Sequence, residues 1–121
     1  MFTVINYLFV VLHVAQQEMG MSDAQAHQAL ETCYEEFIRF VPVDDLCFKL
    51  ERKGIISDRQ KIDIRNCPYR DEKAEKLYDI LLKSRTAADF IAFCQLLQEH
   101  SVKSTQQFGR KLLNQARSST G

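Results

Sequence analysis

The sequence predicts an all-α domain, a six-helix antiparallel bundle, on three observations. Only four glycines and two prolines occur in 121 residues, too few for a turn-rich β sandwich. From Ser22 onward apolar residues recur in steps of three and one, the spacing that lines one face of a helix. Capping and stopping residues punctuate that pattern, and no convincing alternating strand follows Met21. The connections are short, so neighbouring helices must pack closely.

The elements follow in order. "SDAQ" is a capping box, with Ser22 accepting from the backbone and Gln25 reaching back. Ala26, Ala29, Leu30, Cys33, Tyr34, Phe37, Ile38 and Val41 then form one stripe on a helix of about five turns. Pro42 ends it and can open the next helix, whose stripe is Val43, Leu46, Cys47 and Leu50, with Gly54 as the stop. "SDRQ" from Ser57 repeats the capping box and opens a short third helix carrying Ile62. Asn66, Cys67 and Pro68 break it. The fourth begins at Arg70 or Asp71, with Ala74, Leu77, Tyr78 and Leu81 facing inward. Thr86 caps a fifth helix whose residues Phe90, Ile91, Phe93, Cys94, Leu96 and Leu97 go most of the way round, as a central buried helix requires. Ser104 or Thr105 opens the last, with Phe108, Leu112, Leu113 and Ala116. Residues 21–117 thus make up the bundle, preceded by an apolar N-terminal extension (1–20) and followed by a disordered tail (118–121).

Sixteen Lys and Arg cancel sixteen Asp and Glu, so no global field draws the chain to nucleic acid or anionic lipid. The segment from Ser57 to Arg85 has a modest basic excess but no aromatic residues interleaved for base stacking. Cys33, Cys47, Cys67 and Cys94 are scattered, without a C-x-x-C pair. Three of them lie on apolar stripes, which predicts reduced core cysteines and a cytoplasmic chain. His13, His27 and His100 have no ligand spacing, so no metal and no cofactor is expected. Catalysis is not expected either: there is no caspase-like Gln-Ala-Cys run, no Gly-rich loop and no G-x-S-x-G elbow.

The opening run "MFTVINYLFVVLHVA" carries no charge before Glu18. It lacks the basic start of a secretory signal, and at about fifteen residues, with Asn6 and His13 inside it, it falls short of the roughly 20 needed to span a bilayer. Three readings stay open: an extra element packed on the domain, an extension outside the fold (a second start lies at Met21), or a membrane or targeting signal.

Three stretches, in order and with matching loop lengths, resemble the caspase recruitment domain (CARD) branch of the death-fold superfamily. "VPVDDLCFKLERKGIISD" is similar to the family's second helix, its Lys-Gly stop and the apolar pair leading onward. "IRNCPYRDEKAEKLYDIL" resembles the junction into the fourth helix, and "DFIAFCQLLQEH" the fifth. The likeness runs from about Ala24 to Ala116. It departs at "KSRTAADF", which has no glycine where the family commonly has Arg-Gly, and at Glu35 and Glu36, which stand near a position often basic in the first helix, with only Arg39 basic there.

The resemblance implies a non-catalytic module of death-fold (CARD) type that recruits or regulates a caspase, receptor or adaptor by homotypic contacts in apoptotic or innate-immune signalling, with homo-oligomers possible. Arg70, Lys73 and Lys76 follow helical steps of three and so share a face. With Arg39 they form the expected basic face, opposite an acidic face of Asp44, Asp45, Glu51 and Asp58. Such patches support head-to-tail assembly. The alternatives are a CARD-only decoy that caps assemblies and, if residues 1–15 are a membrane signal, a tethered adaptor. Nucleic acid and membrane are not expected partners.

Overall fold

A computed structural model of the chain describes residues 21–84 and 86–118. The expectations for residues 1–20, and for the tail beyond 118, lie outside the described residues. Among the described residues every regular element is a helix. There are seven: α1 (Asp23–Thr32), α2 (Tyr34–Phe40), α3 (Val43–Arg52), α4 (Asp58–Arg65), α5 (Arg70–Ser84), α6 (Ala87–Gln98) and α7 (Lys103–Ser118). Ser118, assigned by the sequence to the tail, ends α7.

Seven replace six because the first predicted helix breaks at Cys33. That residue sits at φ −103°, ψ 22°, outside the helical well. Its N–H still reaches Ala29 O at 3.0 Å and its carbonyl still accepts from Phe37 N–H at 2.8 Å. The break costs little hydrogen bonding and redirects the stripe. α1 lies mainly on α7, whereas α2 lies mainly on α5 and α7.

Local chemistry sets the remaining boundaries. Ser22 and Ser57 both form complete capping boxes, with Gln25 and Gln60. Thr86 accepts from Asp89 N–H, and the α6 start is further held by Asp23, which accepts from Ala87 N–H at 2.7 Å. α3 closes in a Schellman motif: Gly54 takes φ +74°, its N–H bonds Glu51 O, and Ile55 N–H bonds Leu50 O at 2.9 Å. A left-handed residue is required there, which is what glycine supplies. Ile55 and Ile56 then turn inward and are fully buried.

The predicted stripes of α3, α5, α6 and α7 are all buried. One assignment changes. α4 buries Ile64 and leaves Ile62 46% exposed, because two residues along a helix is about 200° round its axis and the inward side is taken by Ile64. α7 begins at Lys103, one or two residues before the predicted Ser104 or Thr105. Thr105 is buried and donates its hydroxyl to Phe40 O at 3.3 Å.

At the centre, Phe37 is fully buried and touches three other aromatic rings: Tyr78 of α5, Phe93 of α6 and Phe108 of α7, with centroids at 5.4, 5.6 and 6.4 Å. Cys33, Cys47 and Cys94 are free and buried. Burial pushes all three thiols up, away from the reactive thiolate.

Candidate interaction surfaces

The predicted acidic and basic residues do not form two separate faces. Asp44 and Asp45, at the start of α3, line a cleft of about 110 Å³ together with Arg70 and Lys73 of α5. Lys73 Nζ stands 3.0 Å from Asp44 Oδ1, so a member of each predicted face is paired inside one molecule. Asp45 is 3.1 Å from His100 Nε2. His100 Nδ1 accepts from Val102 N–H, which leaves Nε2 as the protonated nitrogen that donates to Asp45. Glu51 and Asp58 both face Lys61, at 2.6 and 3.6 Å. The ammonium of Lys61 titrates above its usual range, chiefly through its hydrogen bond to Glu51.

Arg70 has a structural task. Its guanidinium donates to Ile38 O at 2.9 Å and to Arg39 O, two of the carbonyls that the end of α2 leaves without intrahelical partners. Thr105 satisfies the next, Phe40 O. A cation at a helix C-terminus also complements the partial negative charge there. Arg70→Ala should therefore lower stability by about 1 kcal/mol in urea unfolding, with solvent screening keeping the figure small. Arg70→Lys should recover little of it, because an ammonium lacks the planar fork that spans two carbonyls. Of the predicted basic set, Arg39 lies over the ring of Phe40 at 6.0 Å, and Lys76 is exposed with no ion pair among the described residues.

Two other groupings emerge that the sequence did not single out. The first surrounds Phe48, which is 55% exposed on α3. Lys61 Nζ at 4.6 Å and Arg65 at 5.1 Å, both from α4, lie over its ring, and Ile62 is exposed on the same helix. Lys49, Arg52 and Lys53 continue this basic surface around a hollow of about 360 Å³ bordered by Leu96 and Glu99. The legible signal was Phe48 itself, an aromatic residue off the Val43–Leu50 stripe.

The second grouping is acidic. Tyr34 of α2 packs edge-on against Tyr78 of α5 at 4.9 Å, and its hydroxyl donates to Glu75 Oε1 at 2.6 Å. Glu31 and Asp79 lie near enough for their charges to act on Tyr78, and Glu75 and Asp79 act on Tyr34. The hydrogen bond to Glu75 is the main reason that the Tyr34 hydroxyl is pushed up to about 12 from its ordinary 10.0. The protonated hydroxyl is thus favoured in the folded chain. Its contribution to stability is full below pH 10 and is lost as pH rises from 10 to about 12. Burial raises the Tyr78 hydroxyl as well, so spectrophotometric titration of tyrosinate should show late-ionising tyrosines, and Tyr34→Phe should remove one of them.

No described helix is long and apolar enough to cross a membrane, and no cluster of His, Cys, Asp and Glu among the described residues could hold a metal ion. What the described residues define is an all-helical bundle whose surface carries charge of both signs, partly paired and partly unpaired. No family model matches the chain, and no curated protein or solved structure matches it.

Proposed function

We propose that the chain is a non-catalytic interaction module of the CARD type, acting in the cytoplasm by recruiting or regulating a caspase or an adaptor through homotypic contacts. One observation supports this reading beyond the sequence resemblance. After the internal ion pairs are taken out, uncompensated charge of opposite sign remains on two parts of the bundle, cations around Phe48 and carboxylates around Tyr34. Charge that is fully desolvated at an interface couples by about 1.5–7 kcal/mol in favourable cases, against about 0.2–1 kcal/mol for an exposed pair in water. Unspent charge of both signs is therefore a means of recognising partners built the same way.

The test is size-exclusion chromatography with light scattering on the full chain, alone and mixed with isolated caspase and adaptor CARDs. It is run at low and at physiological salt. A complex with at least one CARD that weakens as salt rises supports the reading. No complex with any CARD, with the helical circular dichroism intact, removes it.

A further inference from the structure

We infer that the α3–α4 surface around Phe48 is a docking site for the acidic Tyr34 edge of a second copy of this chain. This inference rests on the proposed function and assigns its polarity. The basic partner surface lies on α3 and α4, and the acidic one on α1, α2 and α5, the reverse of what the sequence resemblance implies.

Four observations carry it. Three of the acids expected to make α3 and α4 negative sit in ion pairs, Asp44 on Lys73 and Glu51 with Asp58 on Lys61, while Asp45 accepts a hydrogen bond from the neutral His100 and keeps its charge. Two of the four cations expected to make the other face positive are engaged too, Lys73 on Asp44 and Arg70 on the α2 carbonyls. What α3 and α4 leave exposed without an ion pair among the described residues is Lys49, Arg52, Lys53, Arg59 and Arg65. Lastly, Phe48 and Ile62 are large apolar side chains kept at the surface, which gives the basic surface an apolar centre of the kind that anchors interfaces.

The complementary surface is on the same molecule. Glu31, Glu75 and Asp79 converge on the Tyr34–Tyr78 pair, an aromatic centre ringed by carboxylates. The two surfaces are distinct, since α4 packs mainly on α3 and α5 while α1 packs on α2, α5, α6 and α7. A contact between different patches on two copies is heterologous, so it continues from copy to copy instead of closing as a dimer.

The full chain is examined by sedimentation velocity over a concentration series at about 50 mM and about 150 mM salt. Self-association that weakens with salt is expected. Arg65→Glu and Asp79→Lys should each weaken it at least about tenfold, the effect of losing one close interfacial pair. An equimolar mixture of the two variants should associate again, because each reversed surface then meets its complement. Phe48→Ala should weaken association without lowering the helical signal, and Lys76→Glu should leave it unchanged or tighten it. A chain monomeric at every concentration overturns the inference, as does a mixture that stays dissociated while both variants remain folded. Loss of association in Lys76→Glu overturns the polarity and returns the basic role to α5. Failure here with intact binding to an isolated CARD leaves the proposed function standing, so the two fail separately.

Discussion

Phe37→Ala is expected to destabilise the chain by about 3–5 kcal/mol, the range for truncating a buried phenylalanine. Phe37 is where α2, α5, α6 and α7 meet, through contacts with Tyr78, Phe93 and Phe108. Removing the ring strips partners from all three neighbours at once, and the cavity cannot collapse from one side alone. Against a total stability of about 5–15 kcal/mol, such a loss brings the variant close to unfolding at moderate temperature. Urea denaturation followed by circular dichroism measures it, as a lower midpoint at unchanged slope. Phe37→Leu should lose less, since leucine refills most of the space. Phe48→Ala is the internal control: it removes the same side chain from a helix, but one 55% exposed, and should cost below about 1 kcal/mol. Equal losses at the two positions would show that Phe37 does not join the helices as described.

The contrast between these two phenylalanines also marks how far the sequence could be read. Phe37 lies on a stripe, and stripes were legible because helical periodicity is a local property: every predicted core residue of α3, α5, α6 and α7 is buried. The capping boxes at Ser22 and Ser57 were legible for the same reason, since donor and acceptor stand three residues apart. The break at Cys33 was not. Nothing in "LETCYEEF" demands it, and the difference shows only in the packing, where α1 lies mainly on α7 and α2 divides between α5 and α7. Ile62 and Ile64 are both apolar and two residues apart, and only the neighbours of α4 decide which one is buried.

Charges were the least legible part. Spacing puts Arg70, Lys73 and Lys76 on one side of α5, but it does not tell what each meets. Arg70 reaches carbonyls 31 and 32 residues away, and Lys73 a carboxylate 29 residues away. A long flexible side chain on a helix edge takes the nearest acceptor that the fold supplies, whichever segment that comes from. The surfaces left over are therefore a remainder, visible only after the internal pairs have formed. This is why a face predicted basic can end with half its cations engaged, and why Phe48, unremarked among its polar neighbours, becomes the centre of a basic surface once α4 is packed beside it.

Gly109→Ala should destabilise the chain, against the usual rule for helices. In a solvent-exposed helix interior the change gains roughly 0.5–1 kcal/mol, because glycine is the less favourable residue. Gly109 is buried in α7 where α7 makes its closest packing, on α6. A Cβ there would lie 2.7 Å from Leu97 Cβ, 2.9 Å from Cys94 O and 3.2 Å from Gln98 Cγ. The first two atoms are fixed by the α6 backbone and cannot swing aside, so the helices themselves must separate. Overpacking of this kind costs about 1–3 kcal/mol, which exceeds the propensity gain, and a net loss of about 1–2 kcal/mol is expected for Ala, with more for Val. Asn114→Ala, on the exposed side of the same helix, should instead raise stability by a few tenths of a kcal/mol. Both are read from urea midpoints. If Gly109→Ala matched or exceeded the stability of the unmodified chain, α7 would have to be free to move away from α6, and Gly109 would then not be what permits their close approach.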